Sequence, residues 1–326
     1  MCQVLRLLTD ELTACLAGYI EQASLDSSGQ FTLSSEKGME KLKRFTLAEP
    51  RLYVLNAMAA AQSAPSRRIE VRCDADDTIL SADTDVDFGP YLKDLSQRLL
   101  DDKCPPAVKE LAMAYHAAKG LKPAFIEIST RTRRLNWSPD RGESVRDFEG
   151  LGLRLQVREK MSLRTMRKYL SYRFGEVRLD TEEDALKRHC NLTSLPTLIN
   201  GESLTRPLVL GECQHHLFSG CDDLAPDHPL ARCREAHRQL KSVRSEAGPF
   251  PIVLAQGGRL PPYLTLVVRG VNYRMAPQAV DPVDFKAVAY VDHLRKDLSQ
   301  TQLVHDNELK KVLTAIPQLL RYMRAL

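Results

Sequence analysis

No stretch of this 326-residue chain approaches the ~18 consecutive apolar positions that a membrane-spanning helix needs. The start, MCQVLRLLTDELTACLAGYI, sets Val4, Leu5, Leu8, Leu12 and Leu16 at helical spacing, but Asp10 and Glu11 interrupt it. It lacks the uninterrupted core and the small-residue cleavage site of a secretory leader, so a cytoplasmic location with no membrane partner is expected. A large excess of either charge is also missing: 46 Lys and Arg against 42 Asp and Glu leave +4. That balance permits an acidic partner without requiring one. No period of about 20–50 residues recurs, which argues against a solenoid. There is no C-x2-C pair, and the eight cysteines follow no framework, so reduced thiols are expected rather than a disulfide scaffold. Nor does any Ser/His/Asp signature point to a nucleophilic triad.

What is present is the composition of a globular protein, 43% hydrophobic and 27% charged, at a length that suggests two domains. A charged amphipathic helix is expected over 36–45. Pro50 suits the first turn of the next helix, RLYVLNAMAAAQSA. Residues 69–73 and 78–80 read as a short strand pair, 91–100 and 107–118 as helices, 124–131 and 151–157 as strands. A basic helix covers 162–174, and Asn200-Gly201 marks a hairpin within 196–205. Residues 211–248 carry few large apolar side chains and read as an insertion or linker. Strands follow at 252–256, 263–269 and 287–291, and a last helix over 306–324, which Pro317 should bend or interrupt. Helices on strands in this order predict an α/β sandwich.

The motif that carries most is LSADTDVDFGPYLKDL, residues 80–95, where a strand runs through Asp83, Thr84, Asp85 and Asp87 into a helix. It resembles the D-x-G-x-G box of the GHKL ATPases, with Asp85 and Asp87 in place of the two glycines. Upstream, Leu55-Asn56-Ala57-Met58-Ala59 is similar to that family's E-x-x-x-N-A-x-D-A helix. Leu52 stands for its glutamate base and Ala59 for its second acid. Leu111 to Ala118 resembles the G-V-G-F-Y-S-A box of the ninety-kilodalton chaperones, with Ala112 and Ala114 for the glycines. Ala289-Tyr290-Val291-Asp292 onward resembles their middle-domain segment, Gln300 replacing the arginine that reaches phosphate.

The resemblance implies a two-layer α/β sandwich of the GHKL type with a second, smaller α/β domain. It sets a nucleotide-type domain at 31–207 after an N-terminal helix at 1–30, an insertion or linker at 208–248, and a shortened middle-type domain at 249–326. If a nucleotide is kept, it implies Asn56 on magnesium, Asp83 on adenine and Thr84 beside it, with Mg-ATP as the cofactor. The departures argue for no cofactor and no catalytic residue. Phosphate is held by backbone N–H groups that glycine leaves accessible. Two like charges ~4 Å apart repel by about 1 kcal/mol in water and ~4 kcal/mol at an effective dielectric near 20. The expected work is therefore chaperone-like or scaffolding contact with other proteins; a weak or nucleotide-gated ATPase is the alternative.

Two further groups have a chemical reading. Cys213, Cys221, Cys233 and His237, with His215, His216 and His228 nearby, could place four zinc ligands, though free thiols are favoured. Arg131, Arg133, Arg134, Arg164, Arg167, Lys168 and Arg173, with Tyr169 and Tyr172, could meet nucleic-acid phosphates, yet no binding module surrounds them and solvated faces are favoured. His116 is read as a structural, hydrogen-bonded histidine rather than a ligand contact. Oligomeric state is left open.

Overall fold

The protein is described by a computed structural model covering residues 50–101, 103–174, 181–211, 213–239, 243–246, 249–257, 262–275, 285–297 and 302–325. The expected helices at 1–30 and 36–45, and Gln300, lie outside the described residues. Described residues fall within one compact unit, 42–326, of mixed α/β architecture.

A 3-10 turn at Pro50–Leu52 leads into α1 (Tyr53–Ser63). Strands β1 (Ser66–Cys73) and β2 (Asp77–Thr84) form an antiparallel pair, followed by a 3-10 segment, Gly89–Leu100, and α2 (Pro106–Gly120). Then come β3 (Phe125–Ser129), β4 (Arg133–Ser138), β5 (Gly142–Asp147), β6 (Leu153–Arg158), α3 (Leu163–Phe174), α4 (Glu182–His189), β7 (Thr197–Ile199) and β8 (Glu202–Ser203). These make an eight-stranded sheet in the order β5-β4-β3-β6-β2-β1-β7-β8. Its neighbours are antiparallel except β1 and β7. A register row, Ile199–Val71–Leu80–Leu155–Ile128–Leu135, crosses the sheet with every side chain buried. Since strand side chains alternate in direction, this row faces α1 and α2, while Arg72, Arg154 and Arg158 on neighbouring positions face water. The Asn200-Gly201 hairpin is as expected: both residues have positive φ (49° and 86°), the backbone that a two-residue turn of matching twist requires.

A second sheet of six strands runs β10-β9-β11-β14-β12-β13. Its strands are β9 (His215–Ser219), β10 (Val243–Glu246), β11 (Ile252–Gln256), β12 (Tyr263–Val268), β13 (Val271–Met275) and β14 (Lys286–Tyr290); α5 (Pro229–His237) and α6 (Asn307–Ala325) complete the chain. Residues 208–248, expected as an insertion or linker, thus supply β9, α5 and β10. The run His216-Leu217-Phe218-Ser219 is buried against β11, a pairing its short length and charged surroundings concealed. The interruption expected at Pro317 does not occur, because α6 continues through it, burying Leu309, Val312, Ile316, Leu320 and Met323 along one stripe.

The sheet is covered on both faces. Leu217, Leu254, Leu266 and Ala287 join the core shared with α1, α2 and α6, whereas Phe218, Val253, Val267 and Val288 meet Leu210, Cys221, Leu230 and Cys233. The tight β12–β13 turn has positive φ at Arg269 and Gly270 (50° and 76°). A Cβ on Gly270 would lie 2.6 Å from Cγ of Gln62 on α1, so only glycine allows this approach.

Candidate functional site

The acidic turn after β2 holds itself together. Thr84, 1% exposed, accepts the Val86 N–H on Oγ1 at 3.1 Å. Asp85 is exposed and paired with Arg131 at 2.9 Å and Arg67 at 3.4 Å. Asp87 turns back: Oδ1 accepts the Gly89 N–H at 2.9 Å and Oδ2 accepts the Thr132 hydroxyl at 2.7 Å. The first amide of the following 3-10 segment, the group an anion would use, is therefore occupied by the protein's own carboxylate. A side chain at Gly89 would collide with the Thr132 hydroxyl. Asp83 is exposed at the end of β2.

The Ala112–Ala114 segment also differs from a phosphate cradle. Both alanines are fully buried near the middle of α2, which begins at Pro106. An α-helix leaves unpaired N–H groups only in its first turn. Those at 112–114 lie more than one turn inside, where they bond the preceding carbonyls. His116 is half-buried on the same helix.

Asn56 is the exception. It is fully buried on α1, and neither amide atom meets a hydrogen-bond partner among the described residues. Leu52 and Ala59, in place of the acidic positions, are buried apolar side chains that cannot accept a proton or hold a cation. One orphaned amide fits the magnesium role, but the filled turn and the continuous helix do not fit a triphosphate. The residues present thus do not suit Mg-ATP as a group.

The sulfur and imidazole groups are placed around the second sheet without converging. Among the described residues, the group whose ligand atoms all lie within 4.8 Å is Asp74, Asp76 and Asp77, not the cysteines and histidines. Those carboxylates are already engaged: Asp74 caps the Asp76 and Asp77 amides, and Arg158 pairs with Asp77. Cys233 lies 3.8 Å from His237 Nδ1, and burial pushes its thiol up to about 12, which opposes the thiolate a metal needs. Burial likewise raises Cys221, whose thiol points at the Ser219 carbonyl. Cys213 donates to the Leu210 carbonyl at 3.1 Å. His216 is buried with both ring nitrogens unpartnered among the described residues, 5.0 Å from the His237 ring; burial, then His237, lowers its pKa.

Of the basic residues whose side chains are described, only Lys168 is buried; Arg131, Arg164 and Arg167 are exposed, and Arg131 pairs with Asp85. Lys168 is buried and paired with Glu159 and Glu182, Arg164 approaches the same two carboxylates, and Arg134 pairs with Glu127 and stacks on Phe148. The side chains of Tyr172 and Arg173 lie outside those described. Beside the exposed Arg164 and Arg167, α3 carries an apolar arc: Leu163, Met166, Tyr169 and Leu170 are 81%, 55%, 59% and 43% exposed, on one side of the helix. No protein-family model and no curated protein matches the chain. No helix among the described residues is long and apolar enough to cross a membrane.

Sequence reasoning missed a buried charge cluster. Glu110 on α2 accepts from Arg269 at 2.7 Å and from Lys296 at 2.5 Å, joining α2 to the second sheet. Nothing local marks these three residues, which are far apart in the chain. It also missed α4, whose Thr181-x-x-Asp184 capping box was legible.

Proposed function

We propose that the chain is a degenerate relative of the GHKL ATPases, similar in motif order to the ninety-kilodalton chaperones, and that it acts by binding other proteins rather than by turning over nucleotide. On this reading the first sheet with α1 and α2 is a GHKL-type two-layer sandwich, and the second sheet is a shortened middle-type unit. The protein works in the cytoplasm. The observation that carries the proposal is the course of α2. It runs unbroken past Ala112 and Ala114, so the amides that would grip phosphate are committed to the helix. The exposed arc on α3 supports the protein-binding half, since contiguous apolar surface on a folded protein marks contact sites.

Two measurements test it together. Titration calorimetry with Mg-ATP is expected to give no saturable heat, and light scattering is expected to show suppressed aggregation of a heat-denatured model protein. Met166→Glu with Leu170→Glu should weaken that suppression and leave the melting temperature within a few degrees, because both side chains already face water. Micromolar Mg-ATP binding abolished by Asp83→Asn would overturn the first half, and unaltered suppression in the double variant the second. The unpartnered Asn56 amide favours one alternative, a weak nucleotide-gated ATPase, and the same titration decides it.

A further inference from the structure

A cavity of about 490 Å³ opens between the end of α4, the chain following β8, and one face of the second sheet. That volume lies within the range of small-molecule sites. Register explains its floor. Thr265 pairs with both Arg274 and Val288, so these three side chains share a face, and Tyr263 and Asn272, two positions along their strands, share it too. The same face is covered further on by Leu210, Leu230 and Cys233, but opposite β12 and β13 the cover stops at Leu192 and Leu208. Two hydrogen bonds fix the gap: Asn191 accepts the Arg206 amide on its carbonyl at 3.0 Å and the Asn272 amide on Oδ1 at 2.5 Å.

The lining is chemically one-sided. Arg188, Arg206 and Arg274 stand at an exposed rim, each from a different element, and no carboxylate lines the cavity among the described residues. Guanidinium groups gathered around a concavity raise its potential and favour an oxyanion, which Arg206 and Arg274 can clasp with two parallel N–H bonds. Inside the rim the surface changes character: Thr265 and Asn272 are 7% exposed, Val288 is fully buried, and Tyr263, Leu208 and Pro207 supply apolar wall. The Asn272 amide oxygen, without a partner among the described residues, is closed off beneath this floor.

We propose that this cavity binds a small organic oxyanion, a phosphate or carboxylate at the arginine rim, attached to an apolar or aromatic body that packs on Tyr263, Pro207 and Leu208. The site is separate from the acidic turn and from α2, and its occupation is independent of whether any nucleotide binds there.

Calorimetry on the whole protein at fixed ionic strength tests this with four probes: inorganic phosphate, phenyl phosphate, benzoate and neutral phenol. Phenyl phosphate or benzoate is expected to bind at least about tenfold more tightly than phosphate or phenol alone, because only they fill both rim and floor. Which of the two binds better identifies the head group. Arg206→Ala and Arg274→Ala should each weaken binding about tenfold while their melting curves stay unchanged, since both side chains are exposed. Arg206→Glu should abolish it. No saturable binding of phenyl phosphate or benzoate up to roughly 10 mM, or binding that the arginine variants do not alter, overturns the proposal.

Discussion

Asn56 places a primary amide in a fully buried helix position with neither polar atom satisfied among the described residues. Such a group costs about 1–3 kcal/mol relative to one that is hydrogen-bonded. Asn56→Val, a branched apolar side chain nearer to it in volume than leucine, is therefore expected to raise the stability measured by urea unfolding by about 1 kcal/mol; a loss of that size would mean the amide has a partner that matters. His228 makes a pH-dependent contribution of known sign. Its ring is buried against Tyr290 and its Nδ1 accepts the Leu230 amide at the start of α5. Burial pushes its pKa down to about 4, partly opposed by Asp227. The unfolded chain takes up this proton near ~6.5. Between those two values the unfolded state binds more protons, so stability falls as pH drops through that window, by about 3 kcal/mol in full. His228→Asn keeps a capping acceptor and removes the titration. Unfolding midpoints of the variant should change less between pH 6.5 and 4 than those of the parent; parallel curves would contradict the assignment.

At the scale of elements, α2 decides the reading. Its alanines look in the sequence like worn glycines of a phosphate loop, but in the structure they are interior helix positions with no room or need for unusual backbone. Ala114→Gly is accordingly expected to destabilise the protein by about 2 kcal/mol, the ordinary helix-interior difference plus a lost buried methyl. A stabilised variant, or one that gains nucleotide affinity, would show instead that the position wants positive φ. The legible elements were those whose signal is local. The 3.6-residue stripe of α6, the Pro50 entry to α1 and the Asn200-Gly201 turn each state their geometry within a few residues. β4 and β5 were not legible, because their exposed, charged positions give almost no alternation; only Leu135 is fully buried among them. β9 was hidden by neighbouring histidines and cysteines. The cavity arginines could not have been found either, since Arg188, Arg206 and Arg274 meet only when β13 folds back beside α4.

For the molecule as a whole, the two sheets share one hydrophobic core and are also tied by specific contacts: Gly270 against Gln62, Asn272 on Asn191, and the Glu110 cluster. Lys296 and Glu110 are almost entirely buried, and burial lowers the Lys296 pKa while Glu110 raises it. Breaking one partner of a buried pair leaves an uncompensated charge, so Glu110→Ala is expected to cost about 3–5 kcal/mol in denaturant unfolding; a cost near zero would place the cluster in water. On the proposed GHKL reading, the amides that would hold phosphate are committed to the protein's own structure. Amide hydrogen exchange followed along the whole chain, with and without Mg-ATP, tests this most directly. The account expects the amides of residues 112–114 to be as slow as the rest of the α2 core and unchanged by Mg-ATP. Fast exchange there that slows on adding Mg-ATP would contradict it.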